Sequence, residues 1–216
     1  MSGAAPLTIV KLGGAVAASG GVSGWLAALR AGGQAMVLVP GGGQFADAVR
    51  ASQRALGYDD ALAHDLALVA MNQLGRVLVN LTPGLRLATS LPQIRAHLAQ
   101  GLTPVWSVVP LARRAGVPQS WDTTSDTLAL WLAQRLKPAR LLLIKARDAD
   151  PQAATLDAAQ QEGLVDRAFA SQWQRGPCKV FVAGPGALAT AAGKLRDGDM
   201  PGVILVPAAR GRHGTR

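Results

Sequence analysis

The sequence predicts an α/β fold with a mainly parallel central sheet. Short runs rich in aliphatic and β-branched residues alternate with longer helical patterns along the 216 residues, which is typical of repeated strand–helix units. The run AMVLVP (35–40) is entirely apolar, as expected for a strand that helices cover on both faces. Hydrophobic residues make up 49% of the chain, enough for a substantial buried core.

The predicted elements follow one another without a linker long enough to divide the chain. We therefore predict a single domain over residues 1–216, ending in a short basic tail at about 208–216. Helices are predicted at 25–31, 45–56, 64–80 and 125–136, the last ending before Pro138, because the residue before a proline disfavours helical geometry. The strands are predicted as LTIVKL (7–12), AMVLVP (35–40), GLRLAT (84–89), TPVWSVV (103–109), ARLLLIKA (139–146), KVFVAG (179–184) and GVILVP (202–207).

The bulk composition indicates a cytoplasmic protein that does not enter a membrane. The apolar runs are broken by Gly, Pro or charge well short of the ~20 residues of a membrane-spanning helix. The N-terminus lacks a basic segment followed by an apolar one, so it does not resemble a secretion signal. The single cysteine, Cys178, excludes an intramolecular disulfide and suits a reducing compartment.

The net charge of +9 is compatible with nucleic acid, a membrane surface or a small anionic substrate. Basic residues are spread along the chain and are densest in the tail ARGRHGTR (209–216). Aromatic residues are 4% of the chain and are not interleaved with the basic ones, unlike in a base-stacking surface. We therefore interpret the charge as a solvated basic surface and regard nucleic-acid binding as the weaker alternative.

Two glycine-rich segments follow predicted strands. VKLGG places Lys11, Gly13 and Gly14 at the end of the first strand, and VPGGG places 41–43 before a helix. Ligands of open α/β sheets gather at the carboxyl ends of strands, where glycines let backbone N–H groups approach an anion. Neither segment has the spacing of a P-loop or a dinucleotide fingerprint. An ordinary glycine turn explains each one alone, but two in one sheet favour a phosphate site.

A third polar cluster, WDTTSD (121–126), opens the apolar helix at 125–136. Ser125 or Asp126 could serve as a helix cap, but a cap requires only one of them. Lys145 follows the strand ARLLLIKA directly and would lie on the ligand side of the sheet, although a surface lysine is the alternative. His64 could donate to a phosphate, and Gly184 could admit a ligand or simply turn the chain. No spacing of Cys and His suggests a metal site.

The order KLGG, VPGGG, TTSDTLAL resembles the amino acid kinase superfamily over nearly the whole chain. The resemblance implies a three-layer αβα sandwich around a mostly parallel sheet of about eight strands. The segments LAHDLALVAMNQLG (62–75) and SWDTTSDTLALWLAQRL (120–136) are similar to the branch that phosphorylates [5-(aminomethyl)furan-3-yl]methyl phosphate in methanofuran biosynthesis, within one-carbon metabolism.

The resemblance also implies roles for individual residues. It implies ATP and Mg²⁺ as cofactors, a small anionic phosphate as substrate, and a homo-oligomer of two or more chains. The residues implied in catalysis are Lys11 and Asp126. Those implied in binding ATP and its phosphates are Gly13, Gly14, Lys145 and Gly184. Those implied in binding the phosphoryl acceptor are Gly41, Gly42, Gly43, His64, Trp121 and Thr124.

Three departures from the family pattern leave alternatives open. Ala15 replaces a frequent serine, and ARDADPQ (146–152) replaces the DxDGxY stretch of many relatives. The second catalytic lysine of acetylglutamate kinases has no obvious counterpart, and either Lys145 or an arginine such as Arg175 could take its place. A kinase of another small phosphate or carboxylate, such as a nucleotide, an isoprenoid phosphate or an amino acid, and a non-catalytic nucleotide or oxyanion binder on the same fold, therefore remain alternatives.

Overall fold

The computed structural model describes residues 6–173 and 178–207. Seven strands in these residues form one sheet in the order β3-β4-β2-β1-β5-β6-β7. All neighbouring strands are parallel except β6 and β7, which are antiparallel. The strands are β1 (Thr8–Leu12), β2 (Met36–Pro40), β3 (Leu85–Ala88), β4 (Thr103–Trp106), β5 (Arg140–Ile144), β6 (Lys179–Ala183) and β7 (Val203–Leu205).

Helices cover both faces of the sheet and build two separate cores. One core includes residues of α7, α8 and α9, and the other includes residues of α2 and α10, while α4 contributes to both. The described α-helices are α1 (Gly14–Ala18), α2 (Val22–Gly32), α3 (Gly43–Leu56), α4 (Asp60–Leu81), α5 (Leu91–Ala99), α6 (Val109–Ala112), α7 (Ser125–Leu136), α8 (Leu156–Gln161), α9 (Phe169–Trp173) and α10 (Leu188–Arg196).

This architecture confirms the predicted α/β fold with a mostly parallel sheet between helical layers. Seven strands lie in the described residues, where about eight were predicted. The central strands β1, β2 and β5 are buried along their whole length. Among them, β2 lies in the run 35–40, which is entirely apolar in the sequence, as expected of a strand covered on both faces.

Element boundaries differ from the predictions where capping determines them. Helix α4 begins at Asp60 instead of 64, because the Asp59 carboxylate accepts a hydrogen bond from the N–H of Leu62. Helix α5 was not predicted; Ser90 caps it, and a proline lies in its first turn. Strand β4 ends at Trp106, and the remaining residues of the predicted strand lead into α6.

Several sequence predictions fall outside the structural description. Arg175 and the basic tail at 208–216 do not belong to the described residues. Within the residues that are described, no helix is long and apolar enough to cross a membrane.

Candidate active site

A buried carboxylate joins two lysines at the carboxyl edge of the sheet. Lys11 Nζ lies 2.9 Å from Asp126 Oδ1, and Lys145 Nζ lies 2.5 Å from Asp126 Oδ2. The three side chains are 5–12% exposed. The family resemblance implied Lys11 and Asp126 in catalysis, and the structure brings these two side chains into contact. It also places Lys145 in the same cluster, as the second lysine beside the carboxylate.

Strand register explains why the two lysines meet. Strand β1 pairs in parallel with β5, so that Lys11 lies opposite Leu143, and Lys145 follows two residues later. Side chains two residues apart point to the same face of a strand, so Lys145 lies on the face that Leu143 shares with Lys11. Helix α7 packs over β1 and β5 on this face. Its first turn therefore delivers Asp126 between the two ammonium groups.

The cluster perturbs the acidity of its members. Burial alone would raise the pKa of Asp126, but the positive charges of Lys11 and Lys145 outweigh it and lower that pKa to about 2. Burial lowers the pKa of Lys145 to about 8; Asp126 opposes this shift, and the Lys11 charge adds to it. At neutral pH the Asp126 carboxylate is ionised, and within the cluster two lysines face this one carboxylate. Such a site favours an anionic ligand.

A second carboxylate, from Asp166, caps the helix that carries Asp126. Asp166 Oδ2 accepts hydrogen bonds from Thr124 N and Oγ1, both at 2.8 Å, and from Thr127 N at 3.1 Å. Asp166 Oδ1 accepts from Thr127 Oγ1 at 2.5 Å. Burial and the nearby Asp126 charge raise the pKa of Asp166. The cap thus comes from 42 residues away instead of from Ser125 or Asp126, and the local sequence gave no sign of it.

The two glycine segments pack directly on one another. A Cβ atom on Gly14 would lie 2.3 Å from Gly43 N, and one on Gly41 would lie 2.4 Å from Gly14 N. Gly13 is similarly confined, because a Cβ there would meet Ile144 O at 2.7 Å and Lys11 Nζ at 3.4 Å. Close backbone approach therefore requires these glycines, and the contact brings the loop after β1 beside the N-terminus of α3. The unpaired N–H groups of a helix N-terminus attract anions.

A cavity of about 230 Å³ lies beside this contact; we call it the first cavity. Six of the predicted site residues are among those that line it, and five of those were predicted to bind the acceptor. The exception is Gly14, which was assigned to the ATP phosphates. These six residues are Gly14, Gly42, Gly43, His64, Trp121 and Thr124. Five of the six residues predicted to bind the acceptor therefore line one cavity, and acceptor binding by them stays a prediction.

Trp121 and His64 both belong to the wall of the first cavity. The Trp121 indole N–H donates to Gln53 Oε1 at 2.7 Å, and the guanidinium of Arg50 lies 4.3 Å from the ring centroid. His64 is 6% exposed. Burial lowers the pKa of His64, while a hydrogen bond to the Ser120 backbone and the charge of Asp65 act against this shift. A neutral imidazole can donate one hydrogen bond and accept another.

A second cavity, of about 410 Å³, lies on the other side of the 121–126 segment. Trp121 and Thr124 line both cavities, and Asp126 lines the second one together with Gln160 and Asp166. Of the Lys11–Asp126–Lys145 cluster, Asp126 thus lines the second cavity, while its chain neighbours Thr124 and Ser125 line the first.

Gly184 lies apart from both cavities. It is buried at the end of β6, where a Cβ atom would lie 2.4 Å from the Arg147 carbonyl carbon. The N–H of Gly186 donates to both Asp148 carboxylate oxygens at 3.1 Å. These contacts join the loop after β6 to the ARDADPQ segment, so Gly184 has a packing role, and nucleotide binding by Gly184 stays a prediction.

Acidic residues do not form a metal cage in the described part of the chain. There, no three His, Cys, Asp or Glu side chains come together as a metal-binding group. The sole cysteine, Cys178, is partly buried, and burial raises the pKa of its thiol to about 12. It therefore lacks the thiolate character that a metal ligand or nucleophile needs.

Comparison with known proteins agrees with this geometry. The sequence model described as the Amino acid kinase family matches residues 6–152, more than half of the chain. The chain belongs to the amino acid kinase family. The match includes Lys11, both glycine segments, Asp126 and Lys145.

One curated family relative is the [5-(aminomethyl)furan-3-yl]methyl phosphate kinase of Methanocaldococcus jannaschii. It is 26% identical over 116 residues, which are 53% of this chain and 52% of that protein. The match thus spans about half the length of the relative.

Solved structures share the complete fold at low sequence identity. The uridylate kinase of Archaeoglobus fulgidus superposes with a TM-score of 0.69 at 16% identity, covering 92% of this chain and 99% of its own. The UMP kinase of Bacillus anthracis gives 0.65 at 17% identity, covering 96% and 98%. These likenesses establish the amino acid kinase fold, and the relatives named in both comparisons are kinases.

Proposed function

We propose that this protein is an ATP-dependent small-molecule kinase that transfers the γ-phosphoryl group of ATP to a phosphomonoester. The observation that carries the proposal is the Lys11–Asp126–Lys145 cluster, whose Asp126 lines the second cavity and is next in the chain to Ser125, which lines the first. Phosphoryl transfer between two anionic substrates requires alignment and preorganised positive charge more than covalent chemistry. The cluster supplies the charge, and the cavities supply separate places for the two substrates.

We further propose [5-(aminomethyl)furan-3-yl]methyl phosphate, hereafter the furan phosphate, as the acceptor. The name of the Methanocaldococcus relative supports this choice, as does the local likeness of the segments that line the first cavity. Its product would be the corresponding diphosphate, made in the cytoplasm for methanofuran-type one-carbon metabolism. A small aromatic phosphate suits the first cavity, which combines Trp121 and Leu68 with backbone N–H donors of the glycine segments.

In this mechanism the acceptor phosphate attacks the γ-phosphorus of ATP, a new P–O bond forms, and the bond to ADP breaks. The acceptor phosphate is already an anionic nucleophile near neutral pH, so no strong base is needed. Lys11 and Lys145 stabilise negative charge on the transferring group. Asp126 orients both ammonium groups towards the transferring phosphoryl group. It does not accept a proton, consistent with its pKa of about 2.

Mg²⁺ fits this site when it binds together with ATP. Because the described residues offer no group of three metal-ligating side chains, the ion would rely on phosphate oxygens and water, as Mg²⁺ commonly does. Bound there, it would neutralise phosphate charge. The protein residues nearest to such a complex would be Lys11, Lys145 and the backbone of Gly13.

A nucleoside monophosphate is the second candidate acceptor. The complete-fold similarity to enzymes named as uridylate and UMP kinases favours it, although at these identities the similarity concerns the fold. The first cavity is only about 230 Å³ in volume, and its wall residue Trp121 is held by a hydrogen bond to Gln53 and by the Arg50 guanidinium over its ring. We therefore place the furan phosphate ahead of a larger nucleotide.

A panel of acceptors tests the proposal. The purified protein is incubated with Mg·ATP and, separately, the furan phosphate, UMP, isopentenyl phosphate or no acceptor, and products are identified by mass spectrometry. We expect ATP-dependent formation of a diphosphate from the furan phosphate, abolished in Lys11→Ala. Tight ATP binding without transfer to any acceptor would instead show a non-catalytic nucleotide binder.

A further inference from the structure

Thr123 carries a buried hydroxyl that the described part of the fold leaves without a partner. The residue is 4% exposed, and its Oγ1 finds no hydrogen-bond partner among residues 6–173 and 178–207. Its backbone is well anchored, since the N–H donates to Ser120 O at 3.2 Å. Buried polar side-chain atoms in native proteins are nearly always paired, so an unpaired one calls for a specific explanation.

The neighbouring threonine shows the contrast. Both the N–H and the hydroxyl of Thr124 donate to Asp166 Oδ2, so this side chain is committed to holding α7. Thr123 lies in a turn that its N–H closes on Ser120 O, and its hydroxyl has no partner comparable to Asp166 in the described residues. Thr124, which the resemblance implied in acceptor binding, therefore has its hydroxyl occupied by Asp166. Of the two hydroxyls, the one without a partner among the described residues belongs to Thr123.

The position of Thr123 indicates what its partner is. Thr123 lines the first cavity together with Gly42, Gly43 and Ser125. Gly42 and Gly43 lie at the N-terminus of α3, where backbone N–H groups and the helix dipole favour an anion. A ligand held against these donors presents oxygen atoms, and a hydroxyl can donate to them.

We propose that Thr123 is an acceptor-binding residue whose hydroxyl donates to a phosphate oxygen of the phosphomonoester in the first cavity. This inference rests on the proposed function for the identity of the ligand, but it concerns the binding step and not the transfer step. It assigns to Thr123 part of the selection for phosphorylated acceptors. The hydroxyl contributes nothing to the fold and is satisfied when the acceptor binds.

This assignment has a signature that a structural role does not share. Valine matches threonine in shape but lacks the hydroxyl. Thr123→Val removes an unpaired polar group, so the free protein keeps its Tm or gains stability. The same change removes a hydrogen bond to a charged ligand, so phosphate binding weakens. Thr124→Val provides the matched comparison, because it breaks the bond to Asp166 and lowers the Tm.

The experiment compares wild type, Thr123→Val, Thr123→Ser and Thr124→Val. Thermal unfolding is recorded with and without inorganic phosphate, and steady-state kinetics are measured with ATP and the furan phosphate. In Thr123→Val we expect an unchanged or higher Tm, a reduced Tm rise on adding phosphate, and an acceptor KM raised on the order of tenfold to a hundredfold. The KM for ATP stays near its wild-type value, and Thr123→Ser restores the acceptor KM.

The possible failures are distinguishable. If Thr123→Val lowers the Tm as Thr124→Val does, or if its response to phosphate and its acceptor KM equal those of wild type, the inference is wrong. If wild type shows a phosphate-dependent Tm rise that Thr123→Val lacks, yet transfers no phosphoryl group, the proposed kinase reaction fails while the assignment of Thr123 stands.

Discussion

Lys11 on β1 and Lys145 at the end of β5 share one counterion, the carboxylate of Asp126, which contacts the first lysine at 2.9 Å and the second at 2.5 Å. Two adjacent strands and the first turn of α7 converge to make this contact. An ion pair buried to this extent is poor evidence of stability, because desolvation opposes the attraction. Its position at the carboxyl edge of the sheet, with Asp126 in the wall of the second cavity, suits it better to stabilising the charge of a transferring phosphoryl group.

Asp126→Asn should lower kcat by about 10²–10³-fold. The amide keeps the shape of the side chain, but the ammonium groups of Lys11 and Lys145 lose the common counterion that orients them. The Tm should fall too, because removing one member of a buried ion pair leaves charge uncompensated. Steady-state kinetics and thermal unfolding measure the two effects.

The matched control is Asp157→Asn, which removes the exposed first-turn acid of α8 and should change neither quantity appreciably. A wild-type kcat with a lowered Tm in Asp126→Asn would reduce Asp126 to a structural residue.

Asp166→Ala should lower kcat about tenfold while leaving the KM for ATP within a few-fold of wild type. Asp166 positions the first turn of α7 through Thr124 and Thr127, and small displacements of aligned groups are costly in transfer reactions. The lost cap should also reduce the free energy of unfolding by about 0.5–2 kcal/mol.

Asp59→Ala removes the cap of α4 and serves as the control. It should lower the Tm comparably and spare kcat. Equal effects of the two substitutions on kcat would mean that Asp166 acts as an ordinary cap.

The pKa of Lys145 gives the reaction a defined dependence on pH. Because that pKa is lowered from its ordinary 10.5 to about 8, the ammonium charge is lost as pH rises through about 8. We expect kcat/KM, which reports the free enzyme, to decline above that pH. Bound phosphates favour the charged form, so kcat should decline at a higher pH.

Stability should follow the opposite trend. Between about 8 and 10.5 the unfolded chain binds more protons at Lys145 than the folded one does. The contribution of this residue to the free energy of unfolding therefore rises with pH. The free energy of unfolding, measured by denaturant titration, should rise more steeply with pH in wild type than in Lys145→Met. A kcat/KM that stays flat to pH 10 would contradict the role of Lys145.

Gly41→Ala should destabilise the protein by about 1–3 kcal/mol and abolish activity. The new Cβ would lie 2.4 Å from Gly14 N, which would force the two glycine segments apart. Gly193→Ala in α10 has no atom within 4 Å of the new Cβ and should instead stabilise by up to about 1 kcal/mol. Denaturant unfolding of Gly41→Ala and Gly193→Ala measures whether the free energy of unfolding falls in the first and rises in the second. A fully active, stable Gly41→Ala would show that the two glycine segments do not need this contact.

Much of the site could be predicted from the sequence because its parts follow strands. Lys11 lies near the end of β1 and the two glycine segments directly follow β1 and β2, and such strand ends meet at one edge of a parallel sheet. The sequence also indicated Lys145, but its contact with Asp126 could not be predicted, because strand order cannot be read from one sequence. Once β5 is known to lie beside β1, the two-residue periodicity places both lysines on the face under α7.

Asp166 and Thr123 could not be assigned in advance, for different reasons. Asp166 lies in an irregular segment and reaches α7 across 42 residues, a distance at which no local pattern indicates contact. For the threonine pair, the resemblance implied Thr124, but the folded backbone decides which hydroxyl meets Asp166 and which is left without a partner in the described residues. Local spacing predicts such a polar cluster without predicting how its members divide their roles.

The measurement that tests the central claim most directly is a single-turnover assay with γ-labelled ATP, Mg²⁺ and the furan phosphate. Wild type and Asp126→Asn are compared at equal ATP occupancy. We predict that wild type transfers the label to the furan phosphate and yields its diphosphate. Asp126→Asn should bind ATP but transfer the label about 10²–10³-fold more slowly. Transfer at equal rates in the two proteins, or no transfer by wild type, would contradict the account.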